Sequence, residues 1–417
     1  MTAPNGSFSH FVEQSSRDGY NFAGNRTVLT GQTLCASANF SCKLERTTFR
    51  VNPTNKWIVI WAHFERSQDY SLGEVAVAHI ERPGKSNMSF DGAFRPLGDD
   101  SRDIAFFSDD VSAWIVTSTG TNTNNNIYSL TSNWTSIDQR LAVVNSGGHR
   151  EAPSVIKANG WFYLFTSRAA GWLPSQPQYI AAPDMAGPWS DPVDVANIAT
   201  FCAQSGGVSE LASGQFVMLA DRWAANWPIK GGATRQVMLP LSVASHGVFA
   251  TYHFYETVRY SDDITAPNQG VYGVQSGRIL SIGKPSSSNG DSQNISHAND
   301  GIQDTPGAYF TPPSVPFWYE LDLYNSSVIT QIDLTTNLVQ GSETFYQFNI
   351  TGSMDNSTWS VLIDQNDNTD PGFIASYPDS SKARYIRINV NAVIDSVNGD
   401  EADWARGITE VTVYGHD

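Results

Sequence analysis

Four polar side chains recur along this chain at nearly even spacing: Glu45, Asp103, Glu151 and Gln204, separated by 58, 48 and 53 residues. Each leads the same run of elements: an apolar strand, an acidic or glycine-containing turn, then a strongly apolar strand. The four segments read LERTTFRVNPTNKWIVIWA from Leu44, SRDIAFFSDDVSAWIVTS from Ser101, REAPSVIKANGWFYLFTS from Arg150 and QSGGVSELASGQFVMLAD from Gln204. Carboxylates gathered on one axis suit glycoside hydrolysis, in which one carboxyl of raised pKa protonates the leaving oxygen while an opposite group activates water. Glu151, with Pro153 stiffening the backbone beyond it, is the acid candidate, and Asp103 would raise its pKa by like-charge repulsion. Arg46 and Arg102 can bind sugar hydroxyls or neutralise the acids. Trp172 in AAGWLPS and Trp223 in ADRWAANW each follow a strand, where an indole can stack on the C–H face of a sugar; Tyr70 occupies a comparable loop. Taken singly, each acid reads equally well as a solvated turn residue and each indole as a core residue. Their shared position sets them apart.

The elements that must position these residues are strands. Short runs of Val, Ile, Trp, Tyr and Phe, such as Trp57 to Ala62, Val75 to Ile80, Ala113 to Thr117, Trp161 to Ser167 and Phe216 to Ala220, are bounded by Gly, Asn, Asp, Ser and Pro. The class is all-β. A repeat of roughly 40 to 50 residues indicates four-stranded propeller blades. A second echo, a small polar stretch ending in an aromatic, marks the outer edge of each unit: SRDGYNF at Ser16, SNMSF at Ser86, TSNW at Thr131 and DMAGPW at Asp184. In such blades the leading polar residue opens the innermost strand, so all four would converge on the central axis. Unrelated turns of a β-sandwich are the alternative. A fifth unit is expected through Val248 to Tyr260. Counting back about 50 residues from Glu45 passes Met1, so residues 1 to 30 would supply only the outer strands of an incomplete first blade. The texture turns to Asp, Pro, Gly and Ser near Ser261, which divides the chain into a propeller over 1–262, a border over 263–285 and a second β domain over 286–417, with strands such as Tyr319 to Asp322, Thr344 to Ser353 and Ala383 to Val390.

Composition narrows the partners. With 25 Lys+Arg against 41 Asp+Glu, the net charge of −16 repels a phosphate backbone, which excludes nucleic acid. At 40% hydrophobic residues the chain is not disordered. No apolar run reaches the ~18 residues of a membrane span, and Met1 to His10 is not a signal peptide. Cys35 and Cys42 are close enough to close a small disulfide loop, leaving Cys202 as a buried apolar residue. His63, His79 and His149 lack metal-ligand spacing and read as structural. Asn-X-Ser/Thr at Asn5, Asn25, Asn39, Asn87, Asn133, Asn294, Asn325, Asn349 and Asn356 points to a secreted, extracellular glycoprotein whose leader is missing. A monomer is expected.

At PLGDDSRDIAFFSDD, REAPSVIKANGWFYLFTSRAAGW, MAGPWS and ADRW, over roughly residues 19–241, the chain resembles glycoside hydrolase family 43, and within it the exo-β-1,3-galactanase branch. The resemblance implies a five-bladed propeller, hydrolysis with inversion and no cofactor for catalysis. It implies that Glu151 is the general acid and Asp103 the residue that tunes it. Glu45 and Arg46 would contact the terminal sugar, and Tyr70 and Gly171 would hold it, beside Trp172, Arg222 and Trp223. Gln204 takes the water-activating position, where most of the family has an aspartate; a neutral amide would orient water or relay a proton. The family's first inner strands have no counterpart here. The remainder resembles a discoidin-like (coagulation factor 5/8 type C) β-sandwich, a galactose-binding-like jelly roll, at HANDGIQDT, WYELDL, FNITGSMDNSTWSVL, ARYIRINV and ITEVTVYG. That implies a structural calcium held by Asp300, Glu410 and Thr305, and ligand contacts from Phe310, Phe317 or Trp404. The function implied is a secreted exo-enzyme hydrolysing β-1,3-galactan of plant cell-wall arabinogalactan, with the sandwich anchored to polysaccharide. Alternatives are an arabinofuranosidase, β-xylosidase or galactofuranosidase on the same propeller, or a propeller that binds glycans and cleaves nothing.

Overall fold

The computed structural model describes residues 7–16, 22–37, 41–66, 69–171, 177–195, 203–210, 216–222, 235–243, 250–252, 257–259, 270–272, 278–290, 292–302, 307–337, 344–370, 372–379, 381–395 and 398–416. The chain begins with an antiparallel ribbon of β1 (His10–Ser16) and β2 (Phe22–Thr30), followed by the short helix α1 (Gly31–Ser37). Cys35 in α1 is bonded to Cys42, at the head of the next strand.

Four four-stranded antiparallel meanders follow. The first is β3 (Cys42–Val51), β4 (Ile58–Arg66), β5 (Asp69–Ile80) and β6 (Ser89–Phe94). The second is β7 (Ile104–Ser108), β8 (Ala113–Thr119), β9 (Asn124–Leu130) and β10 (Ile137–Val144). The third is β11 (Arg150–Ala158), β12 (Trp161–Arg168), β13 (Gln178–Ala182) and β14 (Val193–Asp194). The fourth is β15 (Gln204–Glu210), β16 (Phe216–Arg222), β17 (Arg235–Val243) and β18 (Ala250–Tyr252). Within this order β3 packs beside β7, β7 beside β11 and β11 beside β15, so the repeat seen in the sequence becomes four sheets joined along their first strands. The aromatic echo falls at the start of the outermost strands: Phe90 is the second residue of β6, and Trp134 and Trp189 stand in the turns before β10 and β14. Trp134 closes the seam between the first two sheets, where it is buried against Phe106 and accepts, through its carbonyl, the indole N–H of Trp61. Apolar side chains of alternate strand positions fill the seams, as the two-residue period requires.

The expected fifth unit at Val248 to Tyr260 divides differently. Its first part is β18, the outer edge of the fourth sheet, and its last part is β19 (Thr257–Arg259), paired with β20 (Gly270–Tyr272). A run of apolar residues marks a strand but not its partner, because pairing is fixed by chain reversals that lie elsewhere. β20 lies within the stretch read as a border.

The second unit begins with β21 (Arg278–Ile279) and β22 (Ser286–Ser288). It continues through β23 (Phe317–Thr336), β24 (Thr344–Ser353), β25 (Trp359–Gln365), β26 (Phe373–Ser376), β27 (Ser381–Asp395) and β28 (Ile408–His416). The long β23 pairs through its first half with β22 and β27 and through its second with β26 and β28, so one strand serves two layers. Between them lies a core of Tyr319, Leu321, Ile332, Phe348, Ile386, Val411 and their neighbours. Phe373 of β26 points the other way. It is buried in an apolar cluster with Tyr163, Phe165, Tyr179 and Met218 from the third and fourth meanders.

Candidate active site

Three of the four recurring residues, Asp103, Glu151 and Gln204, are joined in one cluster through Arg46, and Glu45 lies in a second cluster beside it. Glu45 lies in β3, Asp103 immediately precedes β7, Glu151 is the second residue of β11 and Gln204 opens β15. Three of the four strands break register just after that residue, between Glu45 and Thr48, Glu151 and Ser154, and Ser205 and Gly207. At two of these bulges a non-glycine residue takes a left-handed conformation, Arg46 at φ 51° and Ala152 at φ 49°. A bulge re-aims the side chains beside it, and holding a non-glycine residue there costs about 1–3 kcal/mol. Local strain is therefore spent on aiming Glu45, Arg46 and Glu151.

Arg46 is the hub. Its Nε lies 3.2 Å from Asp103 Oδ2 and its Nη1 3.7 Å from Asp221 Oδ2. Nη1 also donates to the Ser205 carbonyl at 3.2 Å, and Nη2 to Gln204 Oε1 at 2.6 Å. One guanidinium thus ties β3 to the approach of β7 and to β15 and β16. Burial alone would lower its pKa, but Asp103, Asp221 and Glu151 outweigh this and hold it above the ordinary value. Beyond Arg46 the four first strands line a cavity of about 820 Å³, walled by Phe49, Phe106, Val155, Val208 and Phe216.

Glu151 accepts two amide hydrogen bonds, from Gln204 Nε2 to Oε1 at 2.8 Å and from Asn122 Nδ2 to Oε2 at 2.9 Å. Gln204 Nε2 also donates to Ser167 Oγ at 3.1 Å. Asp103 Oδ2 accepts the Ala152 N–H at 2.9 Å, which fixes the second carboxylate beside the first. Burial, then the Asp103 charge, push the Glu151 carboxyl up to about 7, against the hydrogen bond from Gln204 and the charges of Arg46 and Arg150. A group that must donate a proton near neutral pH needs this range. Asp103→Asn removes the like charge, so the Glu151 pKa should fall and the alkaline limb of any Glu151-dependent rate should move to lower pH; a pH–rate profile reads the shift.

Glu45 belongs to a neighbouring cluster. Tyr70 Oη donates to its Oε1 at 2.7 Å and itself accepts from Lys43 Nζ at 2.8 Å. His63 Nδ1 lies 3.4 Å from Glu45 Oε2 and Nε2 3.2 Å from the buried Glu65. Burial would raise the Glu45 pKa, but hydrogen bonds to His63 and Tyr70 and the charges of His63 and Lys43 lower it overall. His63 is the mirror case: burial opposes its charge, and Glu45 and Glu65 raise its pKa regardless. Among the buried polar atoms near the clusters that lack a hydrogen-bond partner are Arg102 Nε, Asn122 Oδ1 and Ser205 Oγ.

Gly171 sits in the turn after β12 at φ 66°, a conformation glycine adopts without strain. Trp172 and Trp223 lie outside the described residues, as do Cys202 and the side chain of Arg222. Sequence reasoning passed over Asn122 and Asp221. Asn122 sits in the β8–β9 turn at φ 64°, and a run of Asn and Thr there reads only as a loop. Asp221 faces Gln204 across the β15–β16 pair, and its signal was the ADRW stretch itself.

In the second unit Glu410 on β28 is fully buried. Its Oε2 accepts the Gly301 N–H at 3.1 Å and its Oε1 has no partner. Burial, aided by Asp300 and opposed by the Gly301 bond, pushes its carboxyl up to about 9. Thr305 lies outside the described residues. Among the described residues no group of three or more His, Cys, Asp or Glu is gathered to hold a metal ion.

Residues 283–406 match the F5/8 type C domain family. A search of curated proteins gives no match to the chain. Among solved structures, the exo-β-1,3-galactanase of Phanerochaete chrysosporium, with galactose, is 22% identical, with a TM-score of 0.59 over 98% of this chain and 90% of that one. The exo-β-1,3-galactanase of Clostridium thermocellum is 21% identical, with a TM-score of 0.60 over 94% and 92%. A family 43 β-1,3-galactosidase is 17% identical, with a TM-score of 0.50 over 93% and 67%. At these identities the likeness establishes a common fold. The chain therefore carries an F5/8 type C domain at residues 283–406, within an all-β architecture that has the fold of the exo-β-1,3-galactanases over nearly its whole length.

Proposed function

We propose that the chain is an exo-acting, inverting glycoside hydrolase of family 43 that releases galactose from β-1,3-galactan, acting outside the cell on arabinogalactan. The observation that carries this reading is the half-buried Glu151 carboxyl, its affinity for protons raised toward neutrality beside Asp103, in a cluster tied together by Arg46. The four meanders are read as blades, with β1–β2 as outer strands of a fifth. Bound sugar would take the place of Gln204 against Glu151 Oε1, so that the glycosidic oxygen receives the acid proton. Its hydroxyls would satisfy Arg102 Nε and Asn122 Oδ1. Gln204, held by Arg46 and Ser167, would orient the attacking water from its carbonyl oxygen. The test is product analysis on β-1,3-galactan followed by NMR. Galactose alone from the earliest times, released as the α anomer, supports the reading; oligosaccharides or a β product overturn it.

A second reading, binding without cleavage, is favoured by one observation. An amide stands in contact with the acid, whereas inverting enzymes usually hold two carboxyls about 6.5–9.5 Å apart.

The buried, unpartnered Oε1 of Glu410 beside Asp300 fits a hard cation with oxygen ligands, which we take as a structural calcium held by Asp300, Glu410, Thr305 and backbone carbonyls. Without a cation, Glu410 keeps its proton in the folded state to pH about 9. The stabilisation from that proton is complete below the unfolded pKa and is lost as pH rises toward 9; ion binding would replace it. Chelation should therefore lower the melting temperature of the full chain, more at pH 8 than at pH 5, and Glu410→Gln should abolish the calcium response.

A further inference from the structure

The outer face of the β23–β27–β24–β25 layer breaks the pattern expected of a sheet packed on one side only. Its inner face supplies Tyr319, Leu321, Ile386, Ile388 and Ile350 to the core. The solvent side of such a sheet is normally polar, yet Trp318 and Trp359 stand there, neither required by the core. Between them lies Arg387, with its guanidinium carbon 4.6 Å from the Trp318 ring and 4.0 Å from the Trp359 ring. Arg387 is fixed in turn by Glu320, through Nε at 2.9 Å and Nη2 at 2.6 Å to Oε2. The two indoles are thereby pinned at a set spacing before any ligand arrives, which reduces the ordering cost of binding. Beside them Asn389 donates to Asn349 Oδ1 at 2.9 Å, and Val361 is exposed. Arg387 is paired with Glu320 and Arg384 with Asp322, and the exposed Asp364, opposite Asn349, adds a carboxylate for which no ion pair is seen among the described residues, so the face does not attract an anion.

We propose that this face binds a neutral polysaccharide, whose sugar rings stack on the indole edges and faces left open by Arg387 and whose hydroxyls bond to the Asn389 amide. Flat apolar faces ringed by hydroxyls match indoles set among amides, and a face whose arginines are both paired and which carries Asp364 suits an uncharged ligand better than an anionic one. It stands on the opposite layer from Phe373, so the contact with the meanders leaves it uncovered. The choice of β-1,3-galactan as first probe rests on the function proposed above.

The test uses the full chain carrying Glu151→Gln, produced without N-glycans because Asn349 stands on the face and Asn356 lies in the turn before β25. Electrophoresis runs through gels containing β-1,3-galactan, xylan or β-1,3-glucan. Trp318→Ala and Trp359→Ala should each weaken retardation about five-fold or more, with unchanged melting temperature. Val361→Glu, at an exposed site, should weaken it with no risk to the fold. Loss of retardation by xylan or glucan instead of galactan keeps the binding face and overturns the galactan reading. Equal retardation of all variants on every polymer, or none for the parent, overturns the proposal. A changed sedimentation coefficient with unaltered retardation also overturns it, assigning the face to a second copy of the chain.

Discussion

Glu151→Gln should lower galactan hydrolysis by about a thousand-fold, within the 10²–10⁴ range of a general acid, while the polymer still binds. The amide has the shape of the carboxyl, and the partner it needs is present: turning the Asn122 amide over offers the unpaired Oδ1 to the new N–H₂. Loss should depend on the leaving group, since an aryl galactoside with an acidic phenol departs without a proton. Hydrolysis of such a substrate should fall far less than that of galactan. In the parent chain the rate should decline as pH rises through about 7 if protonated Glu151 is the acid. If galactan cleavage survives the substitution, the acid is another residue. If parent and variant bind but neither cleaves any substrate, the chain is a glycan-binding protein.

Arg46→Ala is expected to be nearly as damaging, and for a different reason. It takes away the guanidinium that Asp103 and Asp221, both largely buried, share, and one of the hydrogen bonds that hold Gln204. Removing one partner of a buried pair costs about 3–5 kcal/mol, so both stability and rate should suffer. Denaturant melts should show the first loss. The second should appear as a kcat decrease that Arg46→Lys restores only in part, since a single ammonium cannot span Asp103, Gln204 and the Ser205 carbonyl together. Unchanged stability in Arg46→Ala would mean that the acids around it are neutralised in some other way.

The repeat that unites Glu45, Asp103, Glu151 and Gln204 was legible because inner strands begin with the same polar-then-apolar order, and order survives in one dimension. The disulfide of Cys35 with Cys42 was legible for the same local reason. What stayed hidden was whatever depends on pairing between distant segments. The bulges after Glu45 and Glu151 have no residue signature, since Arg46 and Ala152 are unremarkable choices for a strand and adopt left-handed geometry only in context. Asn122 reaches Glu151 from a turn on another sheet, and its composition says only that a turn is there. Asp221 hid in a stretch noted for its neighbours. The fate of Val248 to Tyr260 failed likewise, because strand character was visible and strand partner was not.

Phe373 has a practical corollary. Its ring belongs to the sandwich by sequence and to the seam of the third and fourth meanders by packing. A chain cut before Arg278 would leave a greasy socket open to water, so the shortened protein should clump or be digested even with every catalytic group in place. Its low yield of activity would then report poor solubility and say nothing about whether the second unit assists turnover.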